Sequence, residues 1–329
     1  MKNRILSADI LKSISIIGVV FIHGASLLGC DSDFLLHTSE IFRFGVPCFI
    51  IMWAYFFEKS LVQKNKKARY MYIKQRFMHH FIVFLIWSII YFFLGVDWKN
   101  VTLTKILTTH FSGFGWAGQY FFIVLFQLTL LFSFLRYCYS NKIVRYIVLT
   151  CSIILYIMYG YHYSVFPEII HKLGIRPFIL WIVYVFAGIA LAKNEIPKIP
   201  KIFALLVFFI PIEFYVLDYF HLEHTPYTMP SVLIGSIVLC TIMLQSTYIH
   251  IKKITLTLIA KIGESTMTIF ITNSLIIIVL NKLLSEYVCL NCTILGKITV
   301  PFVSTSIIVF IGVGIDGLIK KVKLKGILN

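Results

Sequence analysis

The sequence predicts an all-α, polytopic membrane protein with about ten transmembrane helices and both termini in the cytoplasm. Three observations lead there. Of the 329 residues, 59% are apolar, and one spanning helix uses roughly 20 mostly apolar residues, so the composition supplies about ten spans. Only 13% of residues are charged, about half the share typical of soluble domains. The basic residues also alternate between rich and poor connections along the chain, as the positive-inside rule requires. A soluble globule is excluded, and so is a disordered chain, which would be poor in Phe and Ile.

The apolar runs lie, in order, near 8–28, 41–57, 76–95, 117–136, 143–160, 178–193, 202–217, 229–247, 266–284 and 298–319. The first follows Met1-Lys2-Asn3-Arg4 and has no small-residue cleavage site, so it is expected to remain as a span. The second, seventh and tenth contain Pro47, Pro211 and Pro301, which spans tolerate where neighbours satisfy the freed carbonyls. Several runs fall short of 20 residues and are expected to borrow flanking Tyr and Trp, which sit well at the interface. No internal repeat or low-complexity segment occurs. A single membrane domain over 1–329 is expected, with no soluble domain.

Orientation follows from Lys and Arg. The N-terminus, the connections near 58–76, 136–145, 193–201 and 248–265, and the C-terminus hold 22 of the 30 basic residues. The other connections hold five: Lys99, Lys105, Lys172, Arg176 and Lys297. The basic set is assigned to the cytoplasm. The opposite set carries Asp31, His37, Asp97, Glu168, Asp218 and His224, among others. The formal charge of +16 then reflects loops facing anionic lipid rather than a nucleic-acid partner. Seven cysteines are scattered; Cys289 and Cys292 alone form a CxxC. No second CxxC or nearby His completes a zinc set, so no metal is expected.

Ionisable residues within spans mark functional candidates. The first span has three: Asp9, Lys12 and His23. Eleven residues make almost three helical turns, so Lys12 and His23 share a face, roughly 16 Å apart along the axis. A buried imidazole near neutrality can exchange a proton during reaction, and a buried lysine can hold an anionic or carbonyl group. Structural readings stand beside these: Lys12 snorkelling to the headgroups, His23 bridging helices. The second span opens with Glu40-Ile41-Phe42-Arg43 and runs back antiparallel, which brings Arg43 to the depth of His23. Glu40 and Arg43 form either a structural ion pair or a substrate-orienting, oxyanion-stabilising pair. The connection 58–76, with Arg69 and Arg76, is either a solvated basic loop or a capture site for a phosphate-bearing cofactor. His79 and His80 read as interfacial. No GxSxG, GxGxxG, Walker loop or HExxH occurs.

Four stretches together resemble the acyltransferase-3 family of bacterial membrane acyltransferases: ADILKSISIIGVVFIHG, FRFGVPCFIIMWAYFF, IKQRFMHHFIVFLIWSIIY and IGESTMTIFITNSL. Their order and spacing carry the resemblance across the whole chain. The family usually has Arg where Lys12 stands, often Ser-Gly at Trp53-Ala54, and often His at Asn273. The resemblance implies an O-acyltransferase, with acetyl-CoA (acyl-CoA) as donor and a hydroxyl of a cell-surface or lipid-linked glycan as acceptor. It implies a multi-pass protein of the bacterial cytoplasmic membrane. His23 would be the catalytic residue, either deprotonating the acceptor or briefly carrying the acyl group. Lys12, Arg69 and Arg76 would contact the donor, and Glu40 and Arg43 the acceptor. Some relatives carry a soluble esterase-like domain, for which this chain has no room. Two other classes fit less well. A glycan polymerase or flippase calls for larger extracytoplasmic loops. An ion-coupled transporter calls for inverted repeats with broken helices.

Overall fold

A computed structural model describes residues 6–25, 37–96, 98–246, 253–284 and 294–322. Among these there is no strand. The protein is an all-α, polytopic membrane protein. The CxxC at Cys289 and Cys292 lies outside the described residues.

The longer helices are α1 (Leu6–Ala25), α2 (Gly45–Val62), α3 (Lys66–Gly95), α4 (Gln119–Ser140), α5 (Lys142–Tyr161), α6 (Ile182–Ala192), α7 (Phe209–Tyr219), α8 (Pro230–Gln245), α9 (Lys253–Glu264), α10 (Thr266–Leu284) and α11 (Ile294–Lys321). Eight described segments are long and apolar enough to cross a membrane, and Phe178–Ala192 and Pro230–Gln245 are shorter apolar helices. These ten correspond in order to the ten apolar runs.

Local chemistry sets the boundaries. The Asn65 side chain accepts the Ala68 amide at 2.9 Å, an N-cap that starts α3 ten residues before its apolar run. Asn141 caps α5 through the amides of Ile143 and Val144, so α4 and α5 turn on one residue. Short 3-10 turns, Glu40–Phe44 and Lys201–Phe208, lead into α2 and α7. One expected connection is not wholly a loop. Within 248–265, Lys253–Glu264 forms α9, whose polar residues kept it from reading as an apolar run.

α1 is the central helix. It packs against α2, α8, α9, α10 and α11, and 67% of its apolar window is buried, against 22% for α5. Ser13 Oγ donates to Ile259 O of α9 at 2.6 Å. A Cβ on Gly263 would stand 2.5 Å from Asp9 O, so only glycine permits this approach of α9 to α1. The most extensive pairing joins α2 to α6. There a Cβ on Gly188 would meet Ile51 O at 2.5 Å and Ala54 Cβ at 2.7 Å, the small-residue contact that lets membrane helices approach closely.

Large apolar side chains face outward around the bundle, among them Ile147 and Ile154 of α5, Phe209 and Ile212 of α7, and Phe302 and Phe310 of α11. In water this belt would be an aggregation surface; in lipid it matches its solvent. Buried charges are paired. Glu58 is fully buried and accepts Arg136 Nε at 2.8 and 2.9 Å, tying α2 to α4. Asp316 of α11 accepts Ser265 Oγ at 2.8 Å and Thr268 Oγ1 at 2.9 Å, and pairs with Lys320.

Candidate active site

Two cavities open toward opposite ends of α1, and two of the three residues singled out on that helix, Lys12 and His23, line one each. The first has a volume near 290 Å³ and is enclosed by α1, α2, α3, α4, α9 and α10. Lys12 lines it together with Trp53, Phe56, His80, Glu264 and Phe270. Lys12 Nζ lies 3.6 Å from Asp9 Oδ1 and 5.5 Å from the centre of the Phe56 ring. Lys12 is thus part of a cavity wall. The second cavity, near 410 Å³, lies between α1, α3, the approach to α4, and α10. His23 lines it with Tyr91, Trp116, Ser274, Ile277 and Asn281.

α10 runs past both cavities. Thr266, Met267 and Phe270 face the Lys12 cavity, and Ser274, Ile277 and Asn281 face the His23 cavity. Asn273 stands between these two sets. It is fully buried, and its Oδ1 meets His23 Nδ1 at 3.2 Å. Its Nδ2 donates to Phe270 O at 2.8 Å, and Ser274 Oγ donates to its Oδ1 at 3.1 Å. Rings of Phe270 and Trp116, 6.3 Å apart between centres, stand where the cavities approach.

The remaining site expectations divide. Arg43 and Glu40 form a two-pronged ion pair, with Arg43 Nη2 donating to Glu40 Oε1 at 2.8 Å and Nε donating to Oε2. The guanidinium lies 5.2 Å over the Tyr227 ring. Neither Arg43 nor Glu40 lines the His23 cavity. Arg69 Nε donates to Leu61 O at 3.0 Å and so closes the end of α2; Arg76 lies over the Tyr72 ring. Neither lines the Lys12 cavity. The basic residues that do line a cavity at that end are Lys261 and Lys320. They border a space near 540 Å³ that shares Glu264 with the Lys12 cavity.

Sequence reasoning missed three polar groups. His80, read as interfacial, is buried in the Lys12 cavity, and its Nδ1 has no hydrogen-bond partner among the described residues. In the His23 cavity, Trp116 Nε1 and Asn281 Oδ1 are likewise buried without partners among the described residues. A buried polar atom left unpaired costs about 1–3 kcal/mol, which a bound group of the right kind recovers. Spacing gave no signal for any of the three, since each matters through residues distant in sequence. No group of three or more His, Cys, Asp or Glu able to hold a metal occurs among the described residues.

The all-α, polytopic fold thus carries a cavity toward either end of α1, one lined by Lys12 and the other by His23. The model of the acyltransferase-3 family, described as an acyltransferase domain, matches residues 5–315. The chain belongs to that family and is a multi-pass membrane acyltransferase, transferring groups other than aminoacyl groups. The polymerase, flippase and transporter readings give way to it. No curated protein and no solved structure matches the chain.

Proposed function

We propose that the protein transfers an acyl group, acetyl by family habit, from cytoplasmic acyl-CoA to a hydroxyl of a cell-surface or lipid-linked glycan. It would do so as a single membrane unit in a bacterial cytoplasmic membrane, with the basic connections and both termini inside. The observation that carries this reading is that Lys12 and His23 line separate cavities at the two ends of one helix. That arrangement suits a donor and an acceptor arriving from opposite sides.

In this reading the donor arm enters by the Lys12 cavity. The Lys12 ammonium holds a polar group of the donor, and His80 Nδ1 gives or takes one hydrogen bond along the arm. Phosphates of the donor rest at the basic end, against Lys261 and Lys320, with Arg69 and Arg76 on the approach. The acceptor occupies the His23 cavity, where Trp116 Nε1 donates to one hydroxyl and Asn281 Oδ1 accepts from another. Glu40 and Arg43 shape the acceptor side from behind His23.

The chemistry is acyl transfer by general-base catalysis. His23 takes the proton of the acceptor hydroxyl as its oxygen bonds to the thioester carbonyl carbon. The carbon–sulfur bond then breaks, and the departing thiolate takes the proton from the imidazolium. His23 returns neutral, and no metal enters the balance.

The test is mass analysis of surface glycans from cells with and without the gene, together with radiolabelled acetyl-CoA and purified protein. A glycan lighter by acetyl units in the deletion strain, and label released from acetyl-CoA by the protein, are expected. An unchanged glycan and an inert donor overturn the proposal.

A further inference from the structure

We infer that Asn273 is the positioning residue of His23, fixing which imidazole nitrogen acts as the base. The inference rests on the reading of His23 as general base. The hydrogen bonds around Asn273 decide the direction of the contact. Its Nδ2 donates to Phe270 O at 2.8 Å, so the amide oxygen is the atom turned to His23. An amide oxygen only accepts. His23 Nδ1, 3.2 Å away, therefore carries the hydrogen, and the lone pair of the neutral ring lies on Nε2. Ser274 Oγ lies 3.1 Å from the same oxygen and 3.3 Å from Ala117 O, with one proton to share between them.

The backbone beneath is also held. Tyr91 Oη donates to Ile271 O at 2.7 Å and accepts the Leu275 amide at 2.9 Å. Asn273 lies midway between these two residues. A neutral amide orients the ring as a carboxylate would in a histidine–carboxylate pair, but it adds no charge to hold the proton. The proton is then readily passed to the leaving thiolate. The charged and titratable groups near His23 are Arg43 from the turn before α2 and Tyr91 from α3, beside the neutral Asn273 and Ser274 of α10. On α1 itself Lys12 lies at the far end. An acid at position 273 would be a new charge in this shell.

The experiment compares Asn273→Leu, Asn273→His and Asn273→Asp by steady-state kinetics on purified protein. Asn273→Leu keeps the volume without an acceptor. It should lower kcat by about 10- to 100-fold, the cost of a lost orienting partner at metal-bound histidines, with both KM values unchanged. Asn273→His restores a ring nitrogen that can accept, and should keep kcat within about tenfold of the starting protein. Asn273→Asp keeps the tautomer and stabilises the imidazolium, so the acid limb of the pH–rate profile should move to higher pH. A purely structural Asn273 predicts loss of folded protein with no such shift. A kcat for folded Asn273→Leu equal to that of the unaltered protein overturns the inference even if Asn273→Asp does not accumulate. The base reading fails separately: it falls if His23→Gln transfers acyl groups, whatever position 273 does.

Discussion

The phenol of Tyr91 bridges a turn of the neighbouring helix: its oxygen accepts the Leu275 amide at 2.9 Å while its proton goes to Ile271 O at 2.7 Å. An uninterrupted α-helix joins those two backbone groups directly. A side chain from α3 therefore sets the local shape of α10 at the level of Asn273. Tyr91→Phe removes both contacts to that turn. Expected outcomes are a loss of about 1 kcal/mol in stability and a fall in kcat with the two KM values little changed. Thermal melting and steady-state kinetics check both.

His23 gives the sharpest contrast. A general base contributes about 10²–10⁴ in rate, so His23→Ala should abolish detectable transfer in a protein that still inserts. His23→Gln keeps hydrogen-bonding capacity but cannot take the proton. It should be as inactive as Ala and nearer the unaltered protein in melting temperature. An active Gln variant beside an unstable Ala variant would make the residue structural.

The donor cavity makes a separate claim. Loss of a charged hydrogen bond costs about 1.5–3 kcal/mol, so Lys12→Ala should weaken acyl-CoA binding by roughly 10- to 100-fold. Lys12→Arg should keep most activity, because relatives carry Arg there. His80→Phe removes one neutral contact and should raise the donor KM by about fivefold. Both are read by donor titration at saturating acceptor; unaltered donor binding in Lys12→Ala reduces Lys12 to a structural cation.

Trp116→Phe keeps an aromatic ring and deletes one N–H. The acceptor KM should rise by about fivefold, the worth of one neutral hydrogen bond, and the donor KM should stay put. A change in the donor KM alone would assign Trp116 to the other side of the site.

Topology is checked by cysteine-accessibility labelling in intact cells. Positions in the 58–76 connection should be protected from an external reagent, and positions in 218–228 should react. The reverse pattern overturns the orientation.

The spans were legible because lipid demands long apolar runs and the code for them is local. Lys12 and His23 were legible for the same reason, as charges or titratable groups where lipid penalises them. α9 was not legible, since a twelve-residue helix with Lys261 and Glu264 on it looks like a polar loop until α1 covers its apolar side. The partner of His23 was not legible either: Asn273 is 250 residues away, and no periodicity reaches that far. Arg69 reads as a donor contact from its place in a basic loop, but its Nε is engaged by Leu61 O, a demand set by the end of α2 and invisible in charge counting.

The central position of α1 has a consequence for how the protein is made. Its neighbours α9, α10 and α11 leave the ribosome after α1 to α8. During synthesis, a helix carrying Asp9, Lys12 and His23 must wait in the membrane until its permanent partners arrive. Only α2 and the turn before it are near at hand. The chain therefore cannot assemble as an N-terminal half followed by an independent C-terminal half. Ribosomes that stall after α8 would release a product whose first helix lacks the cover of α9, α10 and α11, a natural target for membrane quality-control proteases.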